Sequence, residues 1–192
     1  MINKKLTGKY KTYLKENLSK KRYNHSINVA NAAVRLAKRY GADEDKAYIA
    51  GLLHDIAKEM PLEEQLEIVT GSPLDVCEIE KKAPALYHAV AGAELIQTLF
   101  NISDREIIDA VRYHTVGCKN MTKLSQVIYL ADLISEDRDY KDVNKMRKYA
   151  EKSLERAMCE AFRFSVKDSA EKGNSIPVST LEAYNDFIIY KK

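Results

Sequence analysis

Four histidines, His25, His54, His88 and His114, are the only imidazoles in a chain of 192 residues. Each falls within a helix-like pattern, on its apolar stripe. His25 lines up with Val29, Ala32 and Leu36, and His54 follows Ala47, Ala50 and Gly51. His88 precedes Gly92 and Leu95, and His114 follows Ile107 and Val111. An apolar stripe faces the core, so all four rings are expected to point inward. Any one of them alone reads as a core histidine bonded to a carbonyl. Four of four, with none expected on the surface, read as a cluster.

Two carboxylates join them. Asp55 directly follows His54, and Asp132 occupies the stripe Leu124, Ile128, Asp132, where an apolar residue would be expected. A buried carboxylate without a partner is costly, so a cation should stand nearby. That cation is either an Arg or Lys in a buried pair or a metal ion. No basic residue lies inside the stripe on neighbouring turns, which favours the metal. Imidazole and carboxylate without thiolate suit iron, manganese, cobalt, nickel or zinc, and argue against magnesium as the main ion. Cys77, Cys118 and Cys159 are odd in number and far apart. They fit neither a disulfide framework nor a CxxC metal site.

The elements that must position these groups are helices. Glycine and proline are scarce, strand-like alternation is missing, and apolar residues recur at three- and four-residue spacing nearly throughout. The expected helices run from about Lys4 to Leu18, from Ser19 to Tyr40 with Gly41 as C-cap, and from an Asp43 cap to Glu59. Others run from Leu62 to Val69, from Pro84 to Phe100, and from a Ser103/Glu106 capping box through His114. Thr122 should cap a helix through Ser135, and Asp142 a long one to about Ala170. Residues 173–178 read as a loop before a second capping box, Ser179/Glu182. On one expected helix, His54 and Asp55 would lie about 100° apart. Both then face a single cavity only if it is broad, with Asp55 bridging toward a second site.

The length suits one domain covering 1–192, with a metal core at about 20–135 and a helical extension at about 142–192. Hydrophobic residues at 45% and charged residues at 31% give a globular balance. A net charge of +3 is too small for a nucleic-acid coat. No stretch approaches the roughly 20 apolar residues that span a bilayer. The basic start MINKKLTGKYKTYL has no apolar run behind it and does not read as a secretory signal. A reduced, cytoplasmic protein is expected.

The ordered set His25, His54-Asp55 in GLLHDIAKEMP, His88, His114 and Asp132 in VIYLADLI resembles the HD-domain metal-dependent phosphohydrolases. KRYNHSINVA, LLHDIAK, YHAVAGAELI, VRYHT, YLADLISEDRDY and TLEAYN together resemble the bacterial YqeK-type family within them. That resemblance implies an all-α HD-domain helical bundle. It also implies a symmetrical dinucleoside tetraphosphatase, cutting diadenosine tetraphosphate into two nucleoside diphosphates. Another HD-domain nucleotidase, or a nucleotide-binding module without turnover, stands as the alternative. The C-terminal loop has Ile176-Pro177-Val178 where the family pattern has Ile-His-Pro.

The resemblance assigns His25, His54, Asp55 and Asp132 to one metal, with iron foremost. His88 and His114 would bind a second metal or else the substrate phosphates. Asp55, Lys58, His88 and His114 are the catalytic candidates. Arg22, Lys58, His88, His114, Arg138, Ile176 and Thr180 are the substrate-binding ones. Lys58, one turn after His54, reads otherwise as a solvated helix-end lysine. Arg138 and Lys141 sit in SEDRDYK, a run that read alone is a solvated loop. The lysines of the first helix (Lys4, Lys5, Lys9, Lys11, Lys15), with Lys20 and Lys21, form either a solvated face or an attractor for polyphosphate. Tyr23, Tyr87 and Tyr113 could stack a base, although most tyrosines serve cores. The expected partner is a nucleotide or dinucleoside polyphosphate, without nucleic acid or membrane, and with a homodimer as a candidate assembly.

Overall fold

A computed structural model describes residues 4–189, with side chains from residue 7. Eleven α-helices follow one another among the described residues, which form no strand. They are α1 (Lys4–Asn17), α2 (Lys20–Tyr40), α3 (Glu44–Leu53), α4 (Leu62–Gly71), α5 (Glu78–Lys81), α6 (Tyr87–Phe100), α7 (Arg105–Arg112), α8 (Lys123–Ile134), α9 (Val143–Lys152), α10 (Leu154–Glu171) and α11 (Val178–Ile189). A 3₁₀ turn, Pro84–Leu86, leads into α6. The expected all-α bundle is thus the observed one, and none of its helices is long and apolar enough to cross a membrane.

Close packing of α2 on α3 and α8 sets the frame. A Cβ on Gly51 would stand 2.9 Å from the Ala30 Cα, so only glycine lets these two helices approach that closely. Small residues, Ala30, Ala33, Ala47 and Ala50, fill the seam and are fully buried. Ser19 caps α2 and donates from both its N–H and its hydroxyl to the Glu59 carboxylate, at 2.5 and 2.8 Å. The start of the His25 helix is thereby tied to the segment after His54-Asp55. At the far side Phe162 of α10 stacks on Tyr129 of α8 and on Phe187 of α11. Gly117, at φ 69°, leaves room for that ring: a Cβ there would meet Phe162 at 2.4 Å.

Several helix ends differ from expectation. The third helix stops at Leu53 instead of Glu59, and residues 54–59 tighten into i→i+3 turns, Ile56 N–H to Leu53 O and Lys58 N–H to Asp55 O. His54 is therefore a helix C-cap. His114 likewise lies just past α7, so only His25 and His88 sit within α-helices. Asp104, not Ser103, caps α7 by accepting from the N–H groups of Glu106 and Ile107. The long helix after Asp142 is two, broken where Ser153 turns extended (φ −157°, ψ 130°) and caps α10. Asp142 itself is left-handed and makes no side-chain cap. The last helix begins one residue before Ser179, so Ser179 and Glu182 form no capping box. The short α5 had no counterpart among the expected helices.

Candidate metal centre

Five parts of the chain bring the six sequence-selected residues together. His25 comes from α2, His54 and Asp55 from the turns after α3, His88 from the first turn of α6, and His114 from the turn after α7; Asp132 comes from α8. All four imidazoles are buried. Their rings meet edge-on in an arc, His25 to His54 to His114 to His88, with centroids 5.0–5.2 Å apart.

Asp55 stands at the middle of the arc, and its two oxygens face different halves. Oδ2 lies 3.5 Å from His54 Nε2 and 3.9 Å from His25 Nε2. Oδ1 lies 3.5 Å from His88 Nε2 and 3.7 Å from His114 Nε2. Asp132 Oδ1 closes the first half, 3.0 Å from His25 Nε2 and 3.8 Å from His54 Nε2. The ligand atoms of His25, His54 and Asp55 form one compact group, and those of Asp55, His88 and His114 another.

The outer ring nitrogens explain why the inner ones face each other. His54 Nδ1 donates to Gly51 O at 2.8 Å, and His114 Nδ1 to Val111 O at 2.7 Å. His25 Nδ1 donates to the Asp137 carboxylate at 2.7 Å, and Asn28 holds that carboxylate's other oxygen. A proton fixed on Nδ1 leaves Nε2 as a lone pair aimed at the centre, the usual arrangement of a ligating histidine. The Nε2 atoms of His25 and His54 are buried without a hydrogen-bond partner. Bonds of about 2.1 Å to one ion put its ligand atoms about 3.0–3.5 Å apart, close to the spacing found here. The donor set fits a divalent transition metal.

His88 differs from the other three. Its ring meets Lys58 Nζ at 3.1 and 3.3 Å, and the Thr115 hydroxyl lies 3.3 Å from its Nε2 and 3.1 Å from that of His114. Burial and the neighbouring Lys58 charge push the His88 ring well below its ordinary pKa, so it is neutral near pH 7. Burial also lowers Lys58, against the opposing pull of Asp55. Burial alone would raise Asp55; without an ion, a charged His54 and a hydrogen bond from His114 outweigh it and hold that carboxyl low, and an ion's charge would take the place of those inner protons.

Arg22 Nη1 donates to Asp55 Oδ2 at 2.8 Å. Arg138 pairs with the Asp132 carboxylate and donates from Nε to the Asp132 carbonyl at 2.8 Å. The buried-pair alternative for Asp132 is thus realised through a basic residue from the following loop, beyond the stripe. Lys58 is not a solvated helix end. Lys141, by contrast, is exposed. Among the described residues no hydrogen bond or ion pair joins Ile176 or Thr180 to the centre, and Thr180 is buried within α11. Tyr87 donates to Lys81 O, and Tyr113 lies over Arg112 in a separate cavity of about 480 Å³ that Val178, Ser179 and Glu182 also line. Lys9, Lys11 and Lys15 cover the rings of Phe100, Tyr48 and Tyr23, while the side chains of Lys4 and Lys5 lie outside the described residues.

Sequence reading missed Asp137, Asn28, Thr115 and Glu59. Thr115 follows His114 directly and Asn28 stands one turn after His25, which is the only signal available for them. Asp137 sits in a charged run that looks solvated.

The HD domain family model matches residues 22–137, which hold all six residues. The symmetrical bis(5'-nucleosyl)-tetraphosphatase of Bacillus subtilis is 37% identical over 172 residues, 90% of this chain and 92% of that protein. Its namesake in Halalkalibacterium halodurans is 33% identical over 96% of this chain and 98% of its own. A crystal structure from Clostridium acetobutylicum, described as a predicted HD superfamily hydrolase involved in NAD metabolism, superposes with a TM-score of 0.92. It is 38% identical and covers 96% of this chain and 98% of that one. With its histidines and aspartates gathered where the family model matches, this chain belongs to the HD-domain family, in the group of the symmetrical bis(5'-nucleosyl)-tetraphosphatases.

Proposed function

We propose that the protein is a metal-dependent hydrolase that cleaves dinucleoside tetraphosphates symmetrically, turning diadenosine tetraphosphate and water into two molecules of ADP. The supporting observation is Asp55, shared between two histidine pairs and bonded to Arg22, in a chain 37% identical to a protein of that name over 90% of its length. In the balanced reaction a water oxygen bonds to a phosphorus next to the chain's central bridging oxygen. The bond from that phosphorus to the bridging oxygen breaks, and each half leaves as a nucleoside diphosphate.

His25, His54, Asp55 and Asp132 would hold one divalent ion, with iron as the foremost candidate and manganese, cobalt, nickel and zinc compatible with the donors. When bound, the ion supplies positive charge that acidifies a neighbouring water and offsets charge on the phosphoryl oxygens. The chain's own groups do the rest. Asp55, ionised, accepts hydrogen bonds and orients a water on its Oδ1 side. Lys58 stands 3.1 Å from His88, where a second cation would meet repulsion. The His88/His114 half is therefore read as the seat of the phosphates, with Lys58, Arg22 and Arg138 supplying charge. Ile176 and Thr180 stay as substrate-binding candidates, without a hydrogen bond or ion pair to the centre among the described residues. The protein is read as a single cytoplasmic domain over 1–192, acting on a nucleotide substrate without nucleic acid or membrane, with a homodimer as its candidate assembly.

Product analysis tests the activity. Metal-loaded protein given diadenosine tetraphosphate should release ADP alone. AMP plus ATP would mean asymmetric cleavage, and binding without turnover would mean a regulatory module.

A further inference from the structure

The loop from Ser135 to Tyr140 sends two side chains back into the centre. Asp137 holds His25 Nδ1 at 2.7 Å, and Arg138 holds the Asp132 carboxylate and carbonyl. Neither belongs to a regular element. A loop keeps such side chains in register only if its backbone is fixed by something else. The last carbonyls of α8 are also without intrahelical partners.

One side chain answers both needs. Arg147 of α9 donates from Nε to Ile134 O at 3.1 Å and from Nη2 to Ser135 O at 2.8 Å and Arg138 O at 3.0 Å. A longer contact reaches Glu136 O at 3.4 Å, and Nη1 goes to the Asn144 side chain at 2.9 Å. Every hydrogen bond it makes among the described residues ends on a neutral oxygen, and four of those oxygens are backbone carbonyls between 134 and 138. The guanidinium therefore acts as a clasp on this backbone instead of neutralising a carboxylate. Left-handed Asp142 (φ 70°) and the Val143 N–H bond to Tyr140 O start α9 directly after the loop.

We propose that Arg147 is a positioning residue of the centre. It fixes the backbone of residues 134–138 so that Asp137 orients His25 and Arg138 orients Asp132. This rests on reading the centre as a metal site, and Arg147 touches neither ion nor substrate. A lysine cannot replace it, because one ammonium on a flexible stem lacks the planar fork that reaches both ends of the segment.

The test is Mn²⁺ affinity, by chelator competition, for wild type, Arg147→Met, Arg147→Lys, Asp137→Asn and the Arg147→Met/Asp137→Asn double variant. Loss of an orienting contact weakens metal binding about ten-fold or more. Arg147→Met and Arg147→Lys should both show it. The double variant should fall well short of the product of the two single losses, because Arg147 acts partly through Asp137. A residue that only caps α8 would lower the melting temperature and leave Mn²⁺ affinity alone. Wild-type affinity in folded Arg147→Lys, or fully multiplicative losses, would overturn the proposal. Wild type that binds no Mn²⁺ would instead remove the metal reading beneath it. Because the readout is binding, a failure to hydrolyse diadenosine tetraphosphate leaves the result interpretable.

Discussion

Two buried polar clusters in this molecule are built on opposite plans. Glu80 of α5 and Arg112 of α7 are both almost fully enclosed, and they meet in a two-pronged pair: Nη1 to Oε1 at 2.8 Å and Nη2 to Oε2 at 2.9 Å. One further Nη2 bond goes to Asp75 O at 2.6 Å. One negative and one positive charge cancel, as a buried pair requires. Around Asp55 the count differs. Two carboxylates and four imidazoles converge, and the Nε2 atoms of His25 and His54 face inward with no proton donor between them. Protein cations do reach the rim, Arg22 on Asp55 and Arg138 on Asp132, yet those inner lone pairs stay uncommitted. The fold balances the charge of the first cluster, even though Glu80 Oε1 and Arg112 Nε are also buried without a hydrogen-bond partner, whereas the second holds more inward-facing acceptors than protein cations and is proposed to be completed by an ion. Asp55 and Glu80 are equally buried carboxylates, so burial alone does not separate a structural acid from a ligand. The partners do.

Substitutions in the two clusters should therefore fail in different ways. The largest effect belongs to Asp132→Ala, which removes a proposed ligand. It should lose metal and activity together, with kcat/KM down at least ten-thousandfold, roughly 5.5 kcal/mol, while circular dichroism keeps its helical signal. Full metal occupancy in that variant would erase the contrast. Glu80→Ala should do the reverse. It strands Arg112 without a counter-charge and costs about 3–5 kcal/mol of stability by denaturant unfolding. Metal per folded chain should be unchanged. A Glu80→Ala protein as stable as wild type would show that the pair carries no structural load.

Two smaller effects divide the centre itself. His88→Ala should keep the ion held by the His25 half and lose about a hundredfold in kcat, roughly 2.7 kcal/mol. Loss of all metal would mean that the two halves are one inseparable site. Lys58→Met retains most of the aliphatic stem and removes the charge beside His88. A ten- to hundredfold fall in kcat/KM, about 1.5–3 kcal/mol for a charge-assisted hydrogen bond, is expected at matched metal content. Wild-type kinetics would return Lys58 to a packing role.

The six central residues were legible because helix periodicity exposes a polar side chain where an apolar one belongs, and Asp132 on the Leu124–Ile128 stripe is the plainest case. Asp137 and Arg147 were not. Both act across chain segments, through a loop and a set of carbonyls that leave no periodic trace. Helix ends were less legible than helices. Ile56 and Ala57 continue the apolar pattern past His54, so nothing in composition announces that the chain tightens into i→i+3 turns there. Ser103 and Asp104 are adjacent cap formers, and only the folded backbone chooses Asp104. The break at Ser153 lacks glycine or proline and therefore gave no warning.

The central claim is that the Asp55 cluster is completed by an ion. Elemental analysis of freshly purified protein, with Asp55→Ala prepared in parallel, tests it most directly. About one divalent transition-metal ion per chain is predicted in wild type, iron foremost, since four groups converge on one set of inner lone pairs. Asp55→Ala should contain only background metal. Metal-free wild-type protein that still hydrolyses diadenosine tetraphosphate in the presence of chelator, or an Asp55→Ala variant as metal-rich as wild type, would contradict the account.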